Sequence, residues 1–105
     1  FYKFIFIKSM PGRRRCRRWV EMLPMATHFI PNIPYNGVVT LRIEEFEAFR
    51  LVDYLGLTQH EAAAKMGISQ KALWNDLKNA RYKIADAIIN GKAIRIEGGD
   101  FVLRK

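Results

Sequence analysis

The chain has 105 residues and 12.2 kDa, with 50% hydrophobic and 27% charged residues, a size that suits one compact domain and excludes two catalytic ones. Lys and Arg number 18 against 10 for Asp and Glu, and the net charge of +8 with a pI near 10.0 points to a polyanionic partner, nucleic acid ahead of an anionic membrane surface. One cysteine, Cys16, excludes an internal disulfide, a zinc finger and a CxxC redox pair, and it fits a cytoplasmic setting.

Residues 1–9 are apolar and aromatic, but their longest unbroken apolar run covers only residues 4–7, far short of the ~18 that a membrane span requires. With MPGRRRC beginning at Met10, they read as an upstream extension or a cloning remnant, and their alternation would suit an exposed edge strand. Residues 10–40 contain all four prolines, Pro11, Pro24, Pro31 and Pro34, which forbid a long helix and define a basic arm. Trp19, Val20, Met22, Leu23, Phe29 and Ile30 are too apolar for a free tail and predict that parts of the arm lie against a helical body. Val38–Leu41 reads as a short extended lead-in.

Residues 41–91 read as that body. Ala48, Leu51, Val52 and Leu55 follow the i, i+3, i+4, i+7 spacing of a core-facing helix over residues 42–55, ended by Gly56. Thr58 with Glu61 forms a capping-box signature for a second, short helix reaching Met66. Gly67 supplies a turn, Ser69 an N-cap, and a third helix carries Ala72, Leu73, Leu77, Ala80 and Ile84 on one face before an Asn90-Gly91 stop. Residues 92–105 hold two β-prone runs around Gly98-Gly99 and predict a short C-terminal β-hairpin.

Residues 58–81 carry the functional signal. Two helices joined by a Gly-containing turn, with small residues at Ala62 and Ala63 for close approach, describe a helix-turn-helix; a plain helical bundle is the competing reading. In a DNA reader the third helix enters the major groove, and the residues off its buried stripe face the duplex: Gln70, Lys71, Trp74, Asn75 and Lys78. The Gln70 and Asn75 amides suit an adenine edge, Lys71 suits guanine or phosphate, and Lys78 with Arg81 suits the backbone. Trp74 is open to two readings, contact with a thymine methyl or a sugar, or packing against the basic arm or another subunit. Asp76 points away from DNA, accepts from cytosine, or weakens binding.

Arg13, Arg14, Arg15, Arg17 and Arg18, five arginines in six residues, form an electrostatic arm suited to phosphates or a narrow minor groove. Nothing suggests an enzyme. His28 and His60 belong to no metal-binding set, Glu44, Glu45 and Glu47 read as a solvated face, and no phosphate loop or dinucleotide motif occurs. No cofactor or metal is expected.

The blocks MPGRRRCRR, VTLRIEEFEAFRLVDYLGLTQHEAAAKMGIS and NARYKIADAIINGKAIRIEGGDF resemble the small prokaryotic family of predicted DNA-binding proteins called domain of unknown function 134. Within it, residues 58–81 are similar to the fourth region of bacterial sigma factors, whose helix-turn-helix reads a promoter element. The resemblance implies a mainly α, three-helix, sigma-region-4-like domain with a role in transcription. The chain departs from the family pattern at Gln70, Lys71 and Ala72, where members commonly have Arg after the capping Ser and Thr two residues further on, at Asp76, where members tend to be basic, and at Arg42, where members often have a Thr cap.

The expected function is therefore sequence-specific binding of double-stranded DNA by a cytoplasmic transcriptional regulator, with pairing into a homodimer as one expectation and no membrane partner. The alternatives are a basic RNA-binding or ribosome-associated protein and a module that docks on RNA polymerase.

Overall fold

The structure is a computed structural model that describes residues 17–104. Cys16, Arg13, Arg14, Arg15 and the strand expected within residues 1–9 lie outside the described residues. In chain order the elements are β1 (Arg18–Val20), β2 (His28–Phe29), β3 (Val38–Leu41), α1 (Ile43–Phe49) continuing into a π-helical turn (Arg50–Tyr54), α2 (Gln59–Met66), α3 (Gln70–Asn90), β4 (Ala93–Ile96) and β5 (Phe101–Leu103). The described chain is mainly α, with three helices and small strands.

Local signals set the helix ends. Thr58 Oγ1 accepts from the Glu61 N–H (3.1 Å) while Glu61 accepts from the Thr58 N–H (2.9 Å), so two donors at the start of α2 are satisfied. Ser69 Oγ accepts from the Ala72 N–H at the start of α3, and Gly67 and Gly91 close α2 and α3 in the left-handed conformation. At α1 the Glu45 carboxylate accepts from the Arg42 N–H; an arginine side chain has no acceptor to return the bond.

Two apolar clusters meet along α3. Leu73 and Leu77 pack with Ala48, Leu51, Ala62, Ala63 and Met66, and Ala80 packs with Val20, Leu41, Ile43, Ile96 and Phe101. The stripe expected on the first helix ends early, because the Leu55 N–H reaches back to the Arg50 carbonyl. That i to i+5 bond widens the turn and breaks the 3.6-residue phase, so Leu55 is 49% exposed and Leu57 packs against the core instead.

The expected C-terminal hairpin does not form. β4 lies between β2, antiparallel with Phe29 opposite Ile94, and β3, parallel with Val38 opposite Ala93 and Leu41 opposite Ile96. β5 pairs in parallel with β1, Arg18 opposite Phe101. Groups near the Gly98-Gly99 turn are already engaged elsewhere: Gly98 O accepts from the Ile43 N–H, the Glu97 N–H donates to Leu41 O, and the Asp100 N–H donates to Glu44 Oε1. The arm thus supplies strands to both sheets.

Glu44, Glu45 and Glu47 are buried, contrary to a solvated face. Glu47 accepts from the Glu21 N–H and from both Nε and Nη2 of Arg50, and Glu45 accepts from Lys83 Nζ at 2.7 Å. Burial pushes the Glu44 carboxyl above its ordinary value. The three acids meet partners that come from distant parts of the chain.

Two stability predictions follow from this packing. Glu47→Leu leaves Arg50 and the Glu21 N–H short of their acceptor, and urea unfolding is expected to show a loss of about 3 kcal/mol. Gly67 has φ +68°, and a Cβ there would sit 2.9 Å from the Trp19 ring; Gly67→Ala is expected to cost about 2 kcal/mol in the same measurement.

Candidate nucleic-acid interface

The turn Gly67-Ile68-Ser69 joins α2 to α3, and the small, buried Ala62 and Ala63 allow α2 to pack closely beneath α3. The first half of α3 consequently presents one side to the core and one to solvent. Leu73, Asp76, Leu77 and Ala80 are buried, whereas Gln70, Lys71, Trp74, Asn75, Lys78 and Arg81 are exposed. Lys71, Trp74, Asn75 and Lys78 fall at i, i+3, i+4 and i+7, so they form one stripe roughly 10 Å long at 1.5 Å per residue. Among the described residues no carboxylate lies within salt-bridge distance of Lys71 or Lys78.

Trp74 remains 39% exposed, so its ring is available to a ligand. Tyr82, 70% exposed, extends the stripe and was not among the sequence-derived candidates. Its position, four residues beyond Lys78 and seven beyond Asn75, is the signal that would have found it.

The remaining candidate cations divide. Arg18 is corrected from a DNA-contacting residue to an interior one: it is 7% exposed, and its Nε and Nη2 donate to Asp76 Oδ2 and Oδ1 at 2.9 and 3.3 Å. Its partner Asp76 is 3% exposed, which answers the question of which way that acid points. Arg17, at the surface, forms an ion pair with Asp100 at 3.4 Å. Arg81 forks onto Asp53 at 2.9 and 2.7 Å, which ties the last α1 turn to α3 and partly neutralises this cation.

The arm root lies along the same helix. Trp19 covers Gly67 at the turn, and the Arg104 guanidinium stacks 4.0 Å from the Trp19 ring centroid. Below them Lys65 Nζ donates to Glu21, and this bond holds the Glu21 carboxyl below its ordinary value. Among the described residues no group of three or more His, Cys, Asp or Glu could hold a metal ion. No helix there is long and apolar enough to cross a membrane.

The Arg81 hydrogen bonds hold the Asp53 carboxyl below its ordinary value. A lowered folded value means that the pair stabilises fully above the unfolded carboxylate pKa of about 3.9 and is lost as pH falls through the folded value. Asp53→Asn is therefore expected to cost less than about 1 kcal/mol at pH 7, since the pair is solvent-screened. Acid unfolding curves of the variant should also lose the corresponding step below pH ~4.

Comparison with known proteins places the chain. The family model described as "Protein of unknown function DUF134" matches residues 8–104. The chain is 52% identical over 92 residues to a UPF0251 protein of Methanocella arvoryzae, covering 85% of this chain and 55% of that one. It is 48% identical over 99 residues to a UPF0251 protein of Methanosarcina acetivorans, covering 91% and 88%. A UPF0251 protein of Caldicellulosiruptor bescii is 52% identical over 93 residues, covering 89% and 66%. The chain thus spans about half the length of the first of these relatives and more of the other two. No solved structure matches. From the family match and these identities, the chain belongs to the DUF134 family, whose matched relatives come from both archaea and bacteria.

Proposed function

We propose that the protein binds double-stranded DNA in a sequence-specific way and regulates transcription in the cytoplasm, with α2, the Gly67 turn and α3 acting as a helix-turn-helix. The observation that carries this reading is the exposed stripe of Lys71, Trp74, Asn75 and Lys78 on the first half of α3, opposite a face packed on α2. A helix about 10 Å across fits the major groove. There Asn75 offers a bidentate amide to adenine, Lys71 reaches guanine or phosphate, and Lys78 with the more distal Tyr82 meets the backbone. Gln70, exposed in the first turn, reaches the next base edge.

The similarity of residues 58–81 to the fourth region of sigma factors belongs to the same proposal. So does pairing of two copies: Ile88 and Ile89, 71% and 78% exposed at the end of α3, provide apolar surface for it. Arg13, Arg14 and Arg15 add phosphate contacts without base preference.

Selection of bound fragments from genomic DNA at ~50 and ~200 mM salt, with structured RNA as competitor, tests the reading. One short duplex motif should persist at the higher salt. Lys71→Ala with Asn75→Ala should weaken that motif by about 1–3 kcal/mol per lost base contact and leave random-sequence binding nearly unchanged. Motif-free binding that collapses with salt, or a preference for RNA, contradicts the proposal, as does stable capture by RNA polymerase without DNA.

A further inference from the structure

We propose that the apolar face formed by residues 29–33 of the arm and the last turn of α3 is the seat of a second copy of this chain, and that two-fold pairing there sets the two α3 stripes one turn of B-DNA apart on an inverted repeat. The half-site spacing rests on the duplex-binding reading above; the pairing surface does not.

The face is built from two segments that the fold brings together. β2 pairs with β4, Phe29 opposite Ile94, and the chain after β2 passes the end of α3, where Ile33 Cδ1 stands 3.4 Å from the position of a Gly91 Cβ. Phe29, Ile30 and Ile33 thus line an open groove with Ala87, Ile88 and Gly91, and Ile89 forms a ridge beside it. Phe29, Ile30, Ile33, Ile88 and Ile89 are between 52% and 78% exposed. At roughly 180 Å² for each residue when free, they present on the order of 600 Å² of apolar surface, the upper limit for a typical monomer.

Shape, area and charge select a second copy as the occupant. A two-fold axis brings the ridge of each copy to the groove of the other, so the face is complementary to itself. Two such faces meeting remove about 1,200 Å², the lower end of the range for stable specific interfaces. On the border, Lys92 and Asp86 cancel each other at 2.9 Å, and Asn90 donates to the same carboxylate. Lys78, the nearer lysine of the stripe, is ten residues from Ile88, about 15 Å along the helix and beyond the ~8 Å screening length of physiological salt. A chain of net charge +8 can therefore meet its copy here with the stripe lysines kept apart.

The same helix bounds the spacing of the stripes. Ile89 lies fourteen residues beyond Asn75, about 21 Å along the axis. A two-fold axis within a helix radius of Ile89 leaves the two copies of Asn75 at most about 50 Å apart. Half-sites on one face of B-DNA are separated by about 34 Å or its multiples, and only the single turn falls within this reach. The two-fold symmetry inverts the second half-site relative to the first.

Sedimentation of the full chain without DNA, from about 1 to about 300 µM, tests the surface. The wild type should pass from a 12.2 kDa monomer to a species of twice that mass. Ile88→Glu with Ile89→Glu, and separately Ile33→Glu on the other wall of the groove, alter exposed side chains. Both variants should keep the urea unfolding midpoint measured at about 1 µM and raise the dimer dissociation constant about tenfold or more, because pairing would bury an unpartnered carboxylate. Fragments selected by the wild type should carry an inverted repeat with half-site centres about 10 base pairs apart. The variants keep the α3 stripe, so they should bind a single half-site as the wild type does and lose about tenfold on the paired site. A wild type that stays monomeric throughout, or a dimer that both variants leave intact, overturns the pairing. A midpoint that falls in both variants means that the chain itself covers the face, and it also overturns the pairing. A dimer lost in both variants, with selected half-sites in direct repeat or two turns apart, overturns the spacing alone. A dimer lost in both variants with no selected duplex motif upholds the pairing surface and overturns the duplex-binding reading.

Discussion

A charge buried in α3 has to be answered from the other end of the chain. Asp76 is enclosed on the core side of the helix, and a carboxylate there is tolerated only when fully paired. Arg18 meets that demand from β1, and much of the topology is consistent with this tie: β1 lies against β5, Val20 and Phe101 share the second cluster with Ala80, and the arm becomes part of both sheets. The two parallel pairings, β1 with β5 and β3 with β4, join segments that the helices separate in the chain. Such long-range contacts slow folding relative to a simple helical hairpin.

The same demand repeats on α1. Glu44, Glu45 and Glu47 occupy the interface among the arm, the C-terminal segment and α3, where Glu21, Arg50, Lys83 and Asp100 meet them. The acidic character of this region therefore serves internal pairing, and the positive surplus is left to the outside. That division explains how a chain with net charge +8 keeps carboxylates close to a helix that presents lysines.

What could be read in advance was local. The Thr58–Glu61 box, the Ser69 cap, the glycines at 67 and 91 and the exposed side of α3 all depend on residues within a turn or two of one another. Pairing partners depend on tertiary closure, and there the sequence misled. Gly98-Gly99 has the composition of a tight hairpin turn, yet its flanks pair with β1, β2 and β3. Arg17 and Arg18 stand in one run with Arg13, Arg14 and Arg15, and nothing in that run announces that Arg18 pairs with Asp76 and Arg17 with Asp100. The π-helical turn at Arg50–Tyr54 leaves no mark in the periodicity, so the i, i+3, i+4, i+7 spacing points Leu55 to a core that it does not enter.

The proposed reading of the duplex by α3 is tested most directly by mapping amide and side-chain NMR shifts while titrating the selected duplex into the protein. The account predicts that the largest changes fall on Gln70, Lys71, Trp74, Asn75 and Lys78, with small changes at the buried Leu73 and Leu77. Changes confined to the exposed apolar face around Phe29, Ile30, Ile33 and Ile88, with α3 between Gln70 and Lys78 unmoved, would contradict it.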